Sequence, residues 1–228
     1  MNINKIIFLL LPFINLSYGQ NRVIEYKMLL NKSNTMENRM FDAYPKTEEN
    51  LKLVSLSLVY NKDEMIFYIK KIPKIVQDDI GSSLLITDIQ GIYHRKSNSE
   101  DMFIEIEKYG SQENFIVKKK SMTLWNITKE KKMICGYECI KATTTFDVDS
   151  DENEVKNRLS PIIAWYCPKL NYSYGPKGIG GLPGVILELE YISLIYTAVK
   201  INDKDNNDII SLPKEKKIIT ESQMFEGF

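Results

Sequence analysis

The chain has 228 residues, with 30 Lys and Arg against 30 Asp and Glu and a single histidine. That balance argues against electrostatic capture of nucleic acid and gives no reason to expect an anionic membrane surface as partner. One histidine, His94, leaves almost no material for histidine-based nucleophilic catalysis.

The N-terminus reads as an export signal: Lys5 supplies a positive start, Ile6 to Leu16 an apolar run, and Ser17-Tyr18-Gly19 a small-residue cleavage site. The apolar run is too short to span a bilayer. Cleavage after Gly19 leaves a mature chain of 209 residues beginning at Gln20. No Cys follows the cleavage site to carry a lipid, and no later stretch approaches the roughly 18 apolar residues of a membrane helix.

The mature chain then reads as a succession of strands. Val23 to Leu30 is the first. Asn31 to Lys46 is polar, with a helical turn around Met36 to Phe41. Leu51 to Tyr60 alternates and, through the turn Asn61-Lys62-Asp63, returns as Met65 to Ile69. Lys70 to Ser83 is a loop with a short helix at Lys74 to Gln77. Ile92 to Arg95, Met102 to Lys108 and Asn114 to Lys119 follow as strands, and Ser121 to Asn126 continues the pattern with Trp125 as an apolar anchor. The lysine clusters Lys118-Lys119-Lys120, Lys129 to Lys132 and Lys214 to Lys217 read as solvated strand ends.

Cys139 to Val148 and Ile162 to Cys167 read as two arms of a hairpin whose tip is the acidic stretch Asp147 to Asn157. Val185 to Tyr191 and Leu194 to Ile201 follow, and Ser211 to Phe228 is a charged tail expected to fray. The expected fold is mainly β: one curved antiparallel sheet, a half-barrel with little helix, forming a single domain over residues 20–228.

The densest feature lies between these strands. Five of the 11 glycines and two of the 8 prolines fall between Gly175 and Gly184. Leu182-Pro183-Gly184 fits a type II turn, with Pro at the first central position and Gly at the φ > 0 position. The strand that follows excludes a phosphate-binding loop, which must open a helix.

Gly175-Pro176, a spacer, then Gly181-Leu182-Pro183-Gly184-Val185-Ile186-Leu187-Glu188 resembles the signature of the GLPGLI family. The upstream Gly136-Tyr137-Glu138-Cys139-Ile140-Lys141-Ala142 resembles that family's Gly-Tyr-x-Cys-x-Lys-Ala segment, and Ala164-Trp165-Tyr166 its Ala-Trp-Tyr. Val185 stands where Leu is usual, and an acidic insert from Asp147 to Glu154 replaces a short Gly-Arg link. The resemblance implies an exported protein of Gram-negative bacteria with no settled biochemical activity. The half-barrel layout also looks like the periplasmic lipoprotein carriers, a likeness of fold alone.

Three cysteines in an oxidising compartment suggest one disulfide and one odd thiol. A hairpin centred on Asn153 places Cys139 opposite Cys167, which favours that pair. Metal binding by Cys135, Cys139 and Cys167 lacks the rest of a ligand set. Glu188 and Glu190 lie about 6–7 Å apart along one strand, near a glycosidase carboxylate spacing, but alternating glutamates are also what a solvent-facing strand carries. His94 reads as a surface histidine. Trp165, Tyr166, Tyr172, Tyr174 and Pro176 are the candidate recognition residues, and Gly175, Gly181, Leu182, Pro183 and Gly184 the structural motif.

The sequence thus points to a non-enzymatic exported binding or accessory protein of the periplasm or outer membrane, with no cofactor. Its partner would be an apolar ligand or a protein of that compartment. A carrier holding a lipid-like ligand in the concave face is the alternative, and a hydrolase a distant third.

Overall fold

A computed structural model describes residues 21–32, 41–87, 91–97, 99–109, 112–120, 124–144, 162–202 and 211–226. The export signal, most of the expected turn at Met36 to Phe41 and the acidic hairpin tip lie outside these residues.

The chain forms one sheet of 12 strands among the described residues. In chain order these are β1 (Arg22–Leu30), β2 (Ser55–Tyr60), β3 (Glu64–Lys71), β4 (Ile92–Lys96), β5 (Asp101–Tyr109) and β6 (Gln112–Lys120), then β7 (Asn126–Ile134), β8 (Tyr137–Thr144), β9 (Ile162–Cys167), β10 (Val185–Tyr191), β11 (Leu194–Asn202) and β12 (Lys217–Thr220). Four short helices accompany them among the described residues: α1 (Thr47–Leu51), α2 (Lys74–Asp78), α3 (Ile80–Thr87) and α4 (Glu221–Glu226).

The order across the sheet is β12-β6-β5-β4-β3-β2-β1-β11-β10-β9-β8-β7. Two antiparallel meanders, β2 to β6 and β7 to β11, therefore flank the central β1. This connectivity forces curvature. The ends of β6 and β7 are Lys120 and Asn126, which six Cα steps can separate by at most about 22 Å. In a flat sheet the ten strand intervals between them would span about 48 Å. The two edges must curl toward each other, although β7 and β12 are not paired and the barrel stays open.

The concave face holds the main core. Ile24, Tyr26, Leu56, Leu58, Phe67 and Tyr196 are all essentially inaccessible there, each contributing about 1.5–3 kcal/mol by burial. The Tyr26 and Phe67 rings meet edge-on with centroids 6.0 Å apart, and the Tyr26 hydroxyl donates to the Ile186 carbonyl at 2.7 Å. A small convex cluster joins Val23, Val59 and Ile66, and a third seals Phe115 and Val117 against Ile219.

Several local expectations change. Leu51 to Val54 is not strand. Thr47–Leu51 is helical, and the Asp79 carboxylate ties it down by accepting from Asn50 Nδ2 at 3.1 Å and Thr47 Oγ1 at 3.4 Å. Asp79 also accepts the Ser82 N–H at 2.8 Å and so opens α3, a helix the pattern did not suggest. The lysine-rich stretch after Trp125 is the edge strand β7, paired with β8 through a two-residue turn at Cys135 and Gly136 whose φ values are 48° and 79°. The charged tail contains β12, which lies parallel to β6, so the sheet is antiparallel except at that edge.

Candidate functional site

The segment Tyr174–Gly184 leaves β9 and crosses the concave face. Its one regular element is a 3-10 turn at Pro176–Gly178, which packs against β3 and β4. At the β10 end it is anchored by Val185 N–H to Leu170 O and Ile186 N–H to Tyr174 O, both 2.8 Å. At the far end, Arg95 of β4 donates from Nη1 to Gly178 O at 3.3 Å. Trp125 Nε1 donates to Gly180 O at 2.8 Å, and the Gly181 N–H donates to Ser173 Oγ at 2.6 Å. Lys177 lies 4.7 Å from the Tyr191 ring centroid and 5.8 Å from that of Tyr93, within cation–π range. The segment therefore plugs the half-barrel from within.

The turn at Leu182-Pro183-Gly184 is not type II. The Gly184 N–H donates to Leu182 O at 2.8 Å, a three-residue γ-turn about Pro183. Gly184 has φ +158°, and a Cβ there would stand 2.2 Å from the Cys167 carbonyl oxygen. Close approach of the β9 backbone, rather than the turn type, requires glycine. Gly178 is similar: at φ +71°, its Cβ would meet Met102 Sδ at 2.3 Å.

The five recognition candidates divide by depth. Tyr166, Tyr174 and Pro176 are buried; Trp165 and Tyr172 are half-buried. Tyr172 lies parallel to Tyr174 at 6.2 Å and meets Tyr60 edge-on at 5.5 Å. Beside them a surface recess of about 330 Å³ is lined by Arg95, Lys96, Ser97, Ser99, Tyr172 and Tyr174, among others. Burial pushes the Tyr174 hydroxyl up to about 12, opposed by Ser97 and Arg95. Ser97 lies near enough to favour its ionised form, yet the hydroxyl has no hydrogen bond of good geometry among the described residues.

On the opposite face, cross-strand register aligns Lys141, Trp165, Glu188, Thr197 and Lys27 in one row across five strands. Lys132 of β7 reaches over the Trp165 ring, 4.3 Å from its centroid, to pair with the Glu188 carboxylate. Thr197 Oγ1 donates to Glu188 Oε2 at 3.2 Å. Glu188 therefore does not stand in solvent: its side chain is 15% exposed and doubly held. The carboxyl of Glu190 is raised from its usual range by burial, then by Glu188, against the pull of Lys132 and Lys141. Here carboxylates alternate with lysines, and Glu130 binds Lys141 at 3.0 Å.

His94 is buried, with Nε2 3.3 Å from Glu105 Oε2, while Lys216 donates to Glu105 Oε1 at 2.5 Å. The surface reading of His94 is therefore wrong, since only 5% of it is exposed. Among the described residues no group of three or more His, Cys, Asp and Glu is placed to hold a metal, and no helix is long and apolar enough to cross a membrane. The structure does not show the expected disulfide; Cys139 and Cys167 are buried and Cys135 is exposed.

Arg95 and Lys132 are the residues that sequence reasoning missed. Each acts on a segment distant in sequence, which no local pattern encodes.

Residues 125–188 match the model of a family described as a protein of unknown function (Porph_ging). That span contains all three motifs noted in the sequence. No curated protein matches the chain. Two solved structures of PNGF-II, in the P21 and C2 space groups, are similar to it with TM-scores of 0.57 and 0.56 at 15% and 16% identity. In each comparison the match covers 91% of this chain and 32% of the other. At that identity the likeness concerns the fold alone.

Proposed function

We propose that the chain is an exported, non-enzymatic binding module of the periplasm or outer membrane. In this reading it engages its partner through the recess beside Tyr172. The observation that carries the reading is half-buried Tyr172 set beside Arg95 and serine hydroxyls in one recess. The concave face, where a carrier would hold an apolar ligand, is filled by Tyr174–Gly184 and its aromatic neighbours. The Glu188 carboxylate is held by Lys132 and Thr197, and Glu190 lies beside it in the field of Lys132 and Lys141. The recess of about 330 Å³ combines half-buried Tyr172 with Arg95 and serine hydroxyls, at the small end of the size range of ligand sites.

Such a mixture suits one protruding side chain or small group of a partner, with an aromatic platform and polar groups to orient it. Native mass spectrometry of protein purified from its own periplasm tests this, with Tyr172→Ala as the comparison. The expected result is a stoichiometric companion on the wild type that is lost from a Tyr172→Ala variant of unchanged circular dichroism. A bound lipid indifferent to Tyr172→Ala supports the carrier instead. Turnover of a glycoside or ester abolished by Glu188→Gln supports the hydrolase.

A further inference from the structure

The β8–β9 ladder runs Thr144↔Ile162, Thr143↔Ile163, Ala142↔Ala164, Lys141↔Trp165 and Ile140↔Tyr166 without a shift. One step further in the same register, Cys139 stands opposite Cys167. Direct opposition on antiparallel strands sets Cβ atoms about 4.5–5.5 Å apart, a modest adjustment from the 3.5–4.5 Å of a disulfide. Both residues are fully buried, and Cys167 acts on the Cys139 thiol more strongly than Cys135 does.

Neither other pairing has such a register behind it. Cys135 occupies the turn between β7 and β8, with Sγ 3.1 Å from the Ala198 carbonyl. Three extended residues carry the chain from Gly136 to Cys139, roughly 10 Å, beyond the ~7 Å Cα separation a disulfide spans. Cys167 is on β9, which does not pair with β7, and no ladder sets it opposite Cys135.

We propose that Cys139 and Cys167 form a disulfide that closes while the sheet is folding and is then sealed by it, with Cys135 remaining a thiol. One thiolate attacks a sulfur of an incoming disulfide, either oxidised glutathione or a protein disulfide of the export compartment. This forms a mixed disulfide and releases the first thiol of the oxidant. The second cysteine's thiolate then attacks its partner's sulfur in that mixed disulfide, closing the bond and expelling the second thiol. Two electrons and two protons pass to the oxidant. That an oxidant is at hand rests on the export proposed above, since a reducing cytosol would keep both thiols reduced.

Burial explains the timing. Neither sulfur is accessible in the folded chain, and burial pushes the Cys139 thiol up to about 12, so reactive thiolate is scarce there. Gly184 packs directly on the Cys167 carbonyl and closes that end of β9. The same cover that excludes an oxidant from the folded dithiol excludes a reductant from the finished bond.

The test uses the chain refolded from urea with oxidised glutathione, compared with chain folded under reduction and then exposed to the same oxidant. Refolding should yield one thiol in denaturant, at Cys135, and a peptide joining Cys139 to Cys167. The folded dithiol should oxidise roughly 100-fold more slowly than the unfolded one, because exchange must wait for local opening. A bridge containing Cys135, or three thiols after oxidative refolding, overturns the pairing. Equal rates in the folded and unfolded chain overturn the seal. Cys135→Ser should leave both results unchanged, which separates the pair from any role of the exposed thiol.

Discussion

The segment Tyr174–Gly184 and the strand β7 invert the usual link between regularity and burial. Eight of the segment's eleven residues are buried, although its only regular element is one 3-10 turn. Strand β7 has nine residues, six of them paired with β8 across a register shift, and buries only Ile134. A backbone can therefore satisfy its polar groups without belonging to the core, and an irregular one can belong to the core if neighbours bind its carbonyls. Arg95 and Trp125 do this for Gly178 and Gly180. Damage should follow burial and close approach, so equivalent substitutions in the two regions ought to differ sharply.

Glycine-to-alanine exchange gives the largest contrast. In Gly184→Ala the new Cβ meets the Cys167 carbonyl oxygen at 2.2 Å and its carbon at 2.6 Å. Backbone cannot swing aside as a side-chain tip can, so a loss above about 3 kcal/mol, or failure to fold, is expected. Gly136→Ala, in the β7–β8 turn at φ +79°, meets nothing within 4 Å and should cost only the ~1–2 kcal/mol of the left-handed conformation. Urea unfolding at equal m-value ranks them. A Gly136→Ala variant as unstable as Gly184→Ala would erase the distinction between the regions.

Next come the contacts that hold each region. Trp125→Phe keeps most of the ring but leaves the Gly180 carbonyl without its Nε1 donor, so about 1–2 kcal/mol is expected. Glu188→Ala removes the partner of Lys132 and the acceptor of Thr197. With Lys132 32% and Glu188 15% exposed, solvent screening is incomplete, and about 1 kcal/mol is expected. If Glu188→Ala cost more than Gly184→Ala, the lysine–glutamate row would be the organising element and the glycine segment secondary.

The same contrast marks what could be read from the sequence. Ile162 to Cys167 and Val185 to Tyr191 appear with the expected bounds, because period-two alternation is a local signal. The hairpin arithmetic agrees with the observed register from Ile140↔Tyr166 to Thr144↔Ile162, since a continuous antiparallel ladder keeps the sum of paired residue numbers constant. Strand β7 was hidden because an edge strand with lysines on its exposed surface loses alternation. Helix α3 was hidden because Asp79, which opens it, also serves α1 some thirty residues away. Pro183-Gly184 suggested a local turn type, whereas the deciding contact is Cys167, brought there only by the β9–β10 pairing. The fate of Glu188 depended on Lys132 arriving from three strands away, which no local pattern encodes.

Glu190 offers the smallest effect and the finest test of the paired face. Its carboxyl is raised in the folded chain, first by burial and then by Glu188. A carboxyl held above its unfolded value favours the folded state while protonated. Its contribution is fully present below the unfolded value of about 4.3 and is lost as pH rises through the higher folded value. At neutral pH the ionised Glu190 is therefore a burden that Lys132 and Lys141 only partly relieve. Glu190→Gln should raise stability at pH 7, leave it nearly unchanged at pH 4, and flatten the pH dependence between them. Urea midpoints of both proteins across that interval measure this. Removing Glu188 should lower the folded value of Glu190 and shrink the gain from Glu190→Gln, while retaining the part due to burial. A Glu190→Gln variant that loses stability at pH 7 would mean that the lysines dominate and the row is a net ion-pair network, and the exposed side of the sheet would then contribute more than its burial suggests.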